Sequence, residues 1–244
     1  FNQLTDRIQT TEEARRRFVS DASHELKTPL ASIRLLTDSI LQNDPVDMAI
    51  VREFVSDIGE EADRLTRISE HLLALTRLDA GAERAREPVE LGTVAEKVAH
   101  LLSPVARTAD VELRCSLEPA CALLANEDDI YQVAFNLIEN AIKYNLPGGR
   151  VEVRVSRRED KVVLTVTDTG LGVPADDLPR IFDRFYRVDK ARSRGLGGTG
   201  LGLSIARDTA RLHGGDITAG PNPAGRGTRF EAEFPALRER GESV

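Results

Sequence analysis

The chain has 244 residues, of which 41% are apolar and 30% are charged, and its formal net charge is −7. These proportions indicate a soluble protein with a substantial core and one or two domains. The acidic balance argues against a nucleic-acid partner, and no stretch approaches the roughly 18 apolar residues that a membrane-spanning helix needs.

The chain begins at Phe1 without the charged and apolar segments of a signal peptide, and its first residues read as the middle of a helix. We therefore expect residues 1–12 to be the end of an upstream signalling helix. On this interpretation the chain is part of a longer protein, whose remaining part could contain membrane spans.

Two apolar patterns predict a helical hairpin over residues 1–79. The second helix carries two seams with a seven-residue repeat, one of them interrupted by Glu61, and residues 43–45 predict the turn. One hairpin covers its apolar stripe on one side only, so we predict a homodimer that forms a four-helix bundle through residues 1–79. The apolar positions are Ala22, Leu26, Leu30, Ile33, Leu36 and Ile40 in the first helix and Val51, Phe54, Ile58, Leu65, Ile68, Leu72 and Leu75 in the second.

Gly81 and Pro88 break this periodicity, which predicts a linker over residues 80–88. From 89 to 238 the sequence pattern alternates between helices and strands, which predicts a second domain. Residues 239–244 are predicted to be a C-terminal tail. Because the helices have one sheet to cover, we predict an α+β layer sandwich. Helices are predicted at 91–107, 127–144 and 201–212, and strands at 111–117, 123–125, 151–155, 162–167, 217–219 and 228–234.

His24 and Thr28 are predicted on the exposed side of the first helix, because each lies about 200° from an apolar residue of the buried face. A neutral imidazole has one bare nitrogen that can attack phosphorus. The carboxylate of Glu25 could bind the other nitrogen and stabilise the positive charge that develops. Pro29 is expected to bend the helix. For an isolated His-Glu pair, a solvated histidine beside a surface ion pair is the commoner alternative.

Asn136, Asn140 and Lys143 are spaced four and three apart, so they share one face of the helix at 127–144. Amide oxygens suit Mg²⁺, which is usually shared with phosphates, and a lysine supplies positive charge to those phosphates. Simple exposure of a polar helix face is the alternative for this pattern taken alone.

Two glycine-rich segments follow. Asp168 at a strand end can accept a hydrogen bond from the exocyclic amine of adenine, and Gly170 and Gly172 let the backbone approach the base, although an Asp-Gly turn is the alternative. Residues 187–200 are basic and glycine-rich, which predicts a mobile lid over phosphates. The segment Gly198–Gly202 opens a helix, whose amides can bind phosphate.

These motifs, in this order, resemble the sequence boxes of sensor histidine kinases, and the resemblance covers about residues 10–236. It implies a dimerisation and histidine phosphotransfer domain followed by an ATP-binding domain of the histidine kinase and gyrase type. The segments similar to the H, N, G1, F and G2 boxes are Phe18–Leu30, Asn136–Asn145, Asp168–Gly172, Phe182–Tyr186 and Gly195–Gly202.

The resemblance implies that Mg²⁺-ATP phosphorylates His24, which then passes the group to an aspartate in the receiver domain of a separate response regulator. Glu25 would act as general base or orienter, and Thr28 would orient water for dephosphorylation of the regulator. Asn140 would bind Mg²⁺, and Asn136 would assist at the metal and phosphates. The other implied nucleotide-binding residues are Lys143, Tyr144, Asp168, Gly170, Gly172, Arg187, Lys190, Gly198, Thr199, Gly200, Leu201, Gly202 and Thr228.

The family further implies a cytoplasmic fragment of a parent anchored in the bacterial inner membrane. Two other functions are considered. An ATPase of the gyrase or chaperone kind would hydrolyse ATP without a phosphoprotein and leaves residues 18–30 unexplained. A signalling scaffold with an inactive nucleotide site conflicts with intact Asn140 and Asp168. Whether ATP reaches its own His24 or the one in its dimer mate depends on the loop at 42–47, and the sequence leaves both open.

Overall fold

The computed structural model describes residues 2–42, 47–79, 85–188 and 198–237. The chain divides into two compact units, of which the first contains two long helices as far as Thr76 and the second contains the sheet with the helices that cover it. None of the helices in these ranges is both long and apolar enough to cross a membrane.

The first unit consists of α1 (Asn2–Gln42) and α2 (Met48–Asp79), which confirms the two predicted helices. The two are joined by an ion pair in which Nη2 of Arg64 donates to Oε2 of Glu25 at 3.2 Å. Both residues are about equally far along the chain from the connection between the helices, as antiparallel packing requires. The predicted turn at 43–45 and most of the loop at 42–47 lie outside the described residues.

The seven-residue repeat of α2 coincides with its buried side. Every predicted seam position is buried or half-buried, and Ile68 and Leu75 are fully buried. In α1, Leu30 is 54% exposed while Pro29 is buried, so within one copy of the hairpin Pro29 lies nearer to α2 than Leu30 does. Pro29 lies seven residues from both Ala22 and Leu36, so the buried side of α1 also follows a seven-residue repeat, and Leu30 falls beside it. The helix continues through Pro29.

The second unit alternates between helices and strands. A five-stranded sheet has the order β2-β4-β5-β7-β6, in which β2 pairs parallel with β4 and the remaining pairs are antiparallel. This confirms the predicted α+β layer sandwich, although the parallel pair was not predicted. The elements are β1 (Glu87–Glu90), α3 (Leu91–Thr108), β2 (Val111–Leu117), β3 (Ala122–Ala125), α4 (Glu127–Lys143), β4 (Gly149–Arg158), β5 (Lys161–Asp168), α5 (Gly202–Leu212), β6 (Asp216–Pro221) and β7 (Thr228–Pro235).

The predicted linker at 80–88 ends earlier than expected. Glu87 and Pro88 belong to β1, which pairs antiparallel with β3 in a small separate sheet, so the assignment of these two residues to the linker is wrong. A proline is tolerated in such a strand because an edge position does not require its N–H. Residues 80–84 lie outside the described residues.

The core lies between one face of the sheet and the helices. On β4 the alternate residues Val151, Val153 and Val155 are completely buried, as expected for a strand with one face on a core. On α4 the face predicted to pack on the sheet is buried at Val133, Leu137, Ile138 and Ala141.

The ends of α4 are fixed by local chemistry. Asn126 caps the helix, since its side chain accepts from the backbone N–H of Asp129 at 3.3 Å. Acidic residues occupy the first turn and Lys143 the last, in agreement with the helix dipole. At the end of α5, buried His213 places Nε2 3.0 Å from Oδ2 of Asp129, which ties α5 to the start of α4.

Candidate functional site

His24 lies on the exposed side of α1, and Thr28 is exposed one turn further on, as predicted. Among the described residues the imidazole has no hydrogen-bond partner. The hydroxyl of Thr28 donates to the backbone carbonyl of His24 at 3.3 Å, which leaves its oxygen able to accept a further hydrogen bond. The arrangement presents a solvent-accessible nitrogen nucleophile beside a hydroxyl oxygen.

The carboxylate of Glu25 lies against Arg64. In the described part of the chain it makes no hydrogen bond to His24. Arg64 is only 7% exposed, and its Nη1 also lies 3.8 Å from Oε2 of Glu61. The expected contact of Glu25 with the imidazole is therefore absent from this conformation. Sequence reasoning missed Arg64; its one local signal was Glu61, which lies in an apolar seam at a spacing that allows an ion pair, whereas the contact with Glu25 has no local signal.

On α4, Asn136 is 4% exposed, so simple exposure does not explain its place on the polar face. Its Nδ2 is buried and has no hydrogen-bond partner among the described residues. A Cβ added at Gly202 would lie 3.1 Å from its Oδ1, so the amide lies directly against the start of α5. Because an unpaired buried N–H is costly, this group is suited to an acceptor supplied by a ligand, such as a phosphate oxygen.

Asn140 and Lys143 lie further along α4 and are half-buried, and Nζ of Lys143 lies 6.0 Å from the ring centroid of Tyr144. Among the described residues, no group of three or more His, Cys, Asp or Glu side chains could hold a metal ion. A magnesium ion here would therefore depend on amide oxygens, chiefly that of Asn140, together with phosphate oxygens. This donor set suits Mg²⁺, which keeps several waters and shares phosphate ligands.

Asp168 is the last residue of β5 and is 4% exposed. Its Oδ1 accepts from the backbone N–H groups of Gly170 at 2.8 Å and Thr228 at 3.1 Å. Burial raises the pKa of this carboxyl, and the two backbone hydrogen bonds oppose that rise. Its Oδ2 accepts no hydrogen bond from the described residues, which leaves one carboxylate oxygen for an amine donor.

Glycines fit the chain closely around this carboxylate. A Cβ at Gly170 would lie 2.3 Å from the carbonyl oxygen of Tyr144, and Gly172 has a φ of +74°. Gly227, which sequence reasoning missed, has a φ of +117°, and a Cβ there would lie 1.9 Å from the carbonyl oxygen of Asp168. The sequence signal for Gly227 was its position two residues after Gly225 and directly before the predicted strand at 228–234.

Asn222 is a second residue that sequence reasoning missed. It is 8% exposed, and its Nδ2 donates to the carbonyl oxygens of Asp168 at 2.9 Å and Arg226 at 3.1 Å. Its Oδ1 accepts from the backbone N–H of Ala224 at 2.9 Å. Asn222 thus shapes the loop between β6 and β7 and attaches it to the strand end that carries Asp168.

The predicted lid lies largely outside the described residues, since these stop at 188 and resume at 198, and Lys190 falls in that gap. Arg187 is half-buried, and Gly198 and Thr199 lie just before the turn that leads to α5. Gly200 has a φ of +72°, and a Cβ there would lie 2.8 Å from the carbonyl carbon of Phe185. Buried Leu201 precedes α5, which begins at Gly202, so the predicted opening of a helix at this segment is confirmed.

Comparisons with known proteins agree with this geometry. The His Kinase A (phospho-acceptor) domain model matches residues 14–81, and the model for histidine kinase-, DNA gyrase B- and HSP90-like ATPases matches residues 125–238. The sensor-like histidine kinase SenX3 of Mycobacterium tuberculosis is 37% identical over 230 residues, which are 93% of this chain and 55% of SenX3. The chain therefore spans about half the length of this relative.

Two solved structures show the same architecture. Full-length ShkA in complex with AMPPNP has a TM-score of 0.66 and 28% identity, over 91% of this chain and 47% of ShkA. The histidine kinase ThkA in complex with the response regulator protein TrrA has a TM-score of 0.73 and 20% identity, over 95% of this chain and 66% of ThkA, and at this identity supports the fold alone. With the phosphoacceptor model covering His24 and the ATPase model covering α4, Asp168 and α5, the chain belongs to the two-component sensor histidine kinases and comprises their catalytic core.

Proposed function

We propose that this protein uses Mg²⁺-ATP to phosphorylate His24, transfers the phosphoryl group to an aspartate of a separate response regulator, and also dephosphorylates that regulator. The observation that carries the proposal is the exposed imidazole of His24 on a helix that matches the phosphoacceptor model. The histidine kinase ThkA, which shares the fold, was crystallised in complex with a response regulator protein, which makes a receiver domain the first partner to test.

In the first step, the unprotonated nitrogen of His24 attacks the γ-phosphorus of ATP, and the bond from that phosphorus to the β–γ bridging oxygen breaks. ADP leaves, and the proton on the other ring nitrogen passes to a base, for which Glu25 is the nearest carboxylate in sequence. In the second step, a carboxylate oxygen of the regulator attacks the phosphorus, and the N–P bond breaks. Thr28 orients the water that later hydrolyses the regulator's acyl phosphate.

The second unit binds the nucleotide. The free Oδ2 of Asp168 accepts from the adenine amine, while Thr228 and the glycines hold that carboxylate in place. The unpaired Nδ2 of Asn136 donates to a phosphate oxygen, and Asn140 provides an amide oxygen to Mg²⁺, which neutralises phosphate charge when bound. The remaining phosphate and base contacts come from Lys143, Tyr144, Gly170, Gly172, Arg187, Lys190 and the segment Gly198–Gly202.

The protein acts as a homodimer through residues 1–79. Large apolar side chains are exposed along the helical unit, and a second copy would remove them from water by completing a four-helix bundle. The parent protein is anchored upstream in the inner membrane, as the family resemblance implies. The exposed side chains are Leu30 at 54%, Leu35 at 68%, Leu41 at 76%, Met48 at 66% and Val55 at 56%.

Labelled γ-phosphate tests the proposal. Incubation with ATP and Mg²⁺ should leave label on the protein in a bond that is labile in acid and stable in base. His24→Gln should lose the label, whereas His100→Gln, a change at an exposed histidine of α3, should keep it. The label should then move to a purified receiver domain. Sustained ATP hydrolysis without a phosphoprotein would indicate a gyrase-type ATPase, and absence of ATP binding would indicate a scaffold.

A further inference from the structure

Arg64 lies between two carboxylates in the helical unit. Its Nη2 donates to Oε2 of Glu25 on α1 at 3.2 Å, and its Nη1 lies 3.8 Å from Oε2 of Glu61 on its own helix. The side chain of Arg64 is 9% exposed, and those of Glu25 and Glu61 are 29% and 26% exposed. The guanidinium therefore has one well-formed partner and one partner just beyond hydrogen-bond distance.

The hydrogen bonding of this ion cluster is incomplete. Nε of Arg64 and Oε2 of Glu61 are both buried and have no hydrogen-bond partner in the part of the chain that the structure describes. An arginine has five donors in a fixed plane, so a small rotation of the guanidinium toward Glu61 would satisfy groups that are now unpaired. Such a rotation would give a second arrangement, in which Glu61 receives the hydrogen bond that Glu25 now receives.

Which of the two carboxylates binds Arg64 matters for His24, because Glu25 is the residue next to it in the sequence. While Glu25 is held by Arg64, its carboxylate is directed to the other helix and one of its oxygens is engaged by the guanidinium. In this arrangement it makes no hydrogen bond to the imidazole. Release from Arg64 would leave the carboxylate free to turn toward the phosphate-accepting ring of the adjacent His24.

We propose that Arg64 is a positioning residue that acts through Glu25: bound to Glu25 it withholds the carboxylate from His24, and bound to Glu61 it releases that carboxylate. The inference rests on the proposed autophosphorylation of His24. A shift of about 1–2 Å between α1 and α2 is enough to exchange the two partners, and helix shifts of this size are common in signalling transitions. Glu61, which interrupts the apolar seam, is the second partner that makes the exchange possible.

The decisive variant is Glu61→Gln, which keeps the volume of the side chain and removes the charge that competes for Arg64. Arg64 should then stay on Glu25, and the autophosphorylation kcat should fall by about tenfold, with the KM for ATP unchanged. Glu60→Gln is the matched control, since it removes the same charge one residue away at an exposed position. Arg64→Gln should act in the opposite direction and raise kcat, because Glu25 is then released.

Opposite effects of the two variants on kcat, with an unchanged KM, support the proposal, whereas a purely structural role would slow both. Any other pattern overturns it, including no change in Glu61→Gln, an altered KM, or a response matched by Glu60→Gln. Should Arg64→Gln fail to fold in a circular dichroism melt, the comparison of Glu61→Gln with Glu60→Gln decides alone. If the unsubstituted protein forms no phosphohistidine, the proposed function is wrong. If it is labelled but the variants do not show the expected pattern, this inference alone is wrong.

Discussion

The side chain of Asn222 donates to the backbone carbonyl of Asp168 at 2.9 Å, while the carboxylate of Asp168 accepts from the backbone of Gly170 and Thr228. The residue proposed to recognise adenine is thus fixed at both its backbone and its side chain by parts of the chain far apart in sequence. Because Oδ2 of Asp168 accepts no hydrogen bond from the described residues, the proposed adenine site is preorganised in the nucleotide-free protein.

Asp168→Asn should weaken ATP binding by about tenfold or more, because an amide N–H would face the donor group of adenine. The same change should stabilise the nucleotide-free domain at pH 7. Burial raises the folded-state pKa of Asp168 above the unfolded value, so stability falls as the pH rises between the two values and the full loss is present at pH 7.

The stabilising effect of Asp168→Asn should shrink as the pH falls toward about 4, where carboxyls become neutral in both folded and unfolded chains. Calorimetric melts across pH and titration with ATP measure the two effects separately. Asp176→Asn, at an exposed position, serves as control. Greater stability of the parent at pH 7 would contradict the burial argument.

Gly227→Ala should destabilise the second unit by about 2–4 kcal/mol, since the new Cβ would strike the carbonyl oxygen of Asp168 and the residue keeps a positive φ. Gly225→Ala should lower the free energy of unfolding by less. Its φ of +146° is also positive, but no described atom lies within 4 Å of the added Cβ. Gly220→Ala should have little effect, since Gly220 has neither a positive φ nor a described atom within 4 Å of the added Cβ. Urea unfolding of the three variants gives the order, and equal losses would contradict it.

Thr28→Ala should abolish dephosphorylation of the response regulator and leave autophosphorylation within about twofold, because the hydroxyl is proposed to act on water and not on ATP. Thr37→Ala is a close control: Thr37 is also exposed on α1 and also donates to the carbonyl four residues earlier, at 2.7 Å. Loss of labelled phosphate from a purified phosphorylated receiver domain is the measurement. Equal loss of both activities in Thr28→Ala would show a structural role.

His213→Ala should lower the free energy of unfolding by about 2–3 kcal/mol, because it removes a buried ring and its hydrogen bond to Asp129. His100→Ala, at an exposed position of α3, should change it by less than about 0.5 kcal/mol. Urea unfolding followed by circular dichroism compares the two. Similar values for both variants would mean that the contact between α4 and α5 contributes little.

Local patterns predicted most of the elements, because each helix and strand carries the periodicity of its own buried face. The alternation on β4 and the spacing of Leu137 and Ala141 on α4 are examples. Long-range pairing was less accessible: nothing in β2 alone indicates that it runs parallel to β4. Pro88 was assigned to a linker because proline interrupts most strands, whereas an edge strand accepts it.

The site shows the same division. His24, Asp168 and the glycines of the nucleotide segments belong to short contiguous motifs, which sequence reasoning can identify. Asn222 and Arg64 act through contacts with residues 54 and 39 positions away, and no local spacing reports such partners. In α1, spacings of three and four admit both Pro29 and Leu30 beside α2, and the seven-residue repeat through Pro29 decides between them.

The ion pair between Glu25 and Arg64 also sets the alignment of the hairpin. Sliding α1 by one seven-residue repeat would keep apolar side chains in contact but would bring Phe18 or Ser32 opposite Arg64. A buried guanidinium would then lose its carboxylate across the helices, which is far more costly than an imperfect apolar contact. The pair therefore fixes the register of α1 against α2. It also fixes the position along the hairpin at which every folded molecule exposes the imidazole of His24.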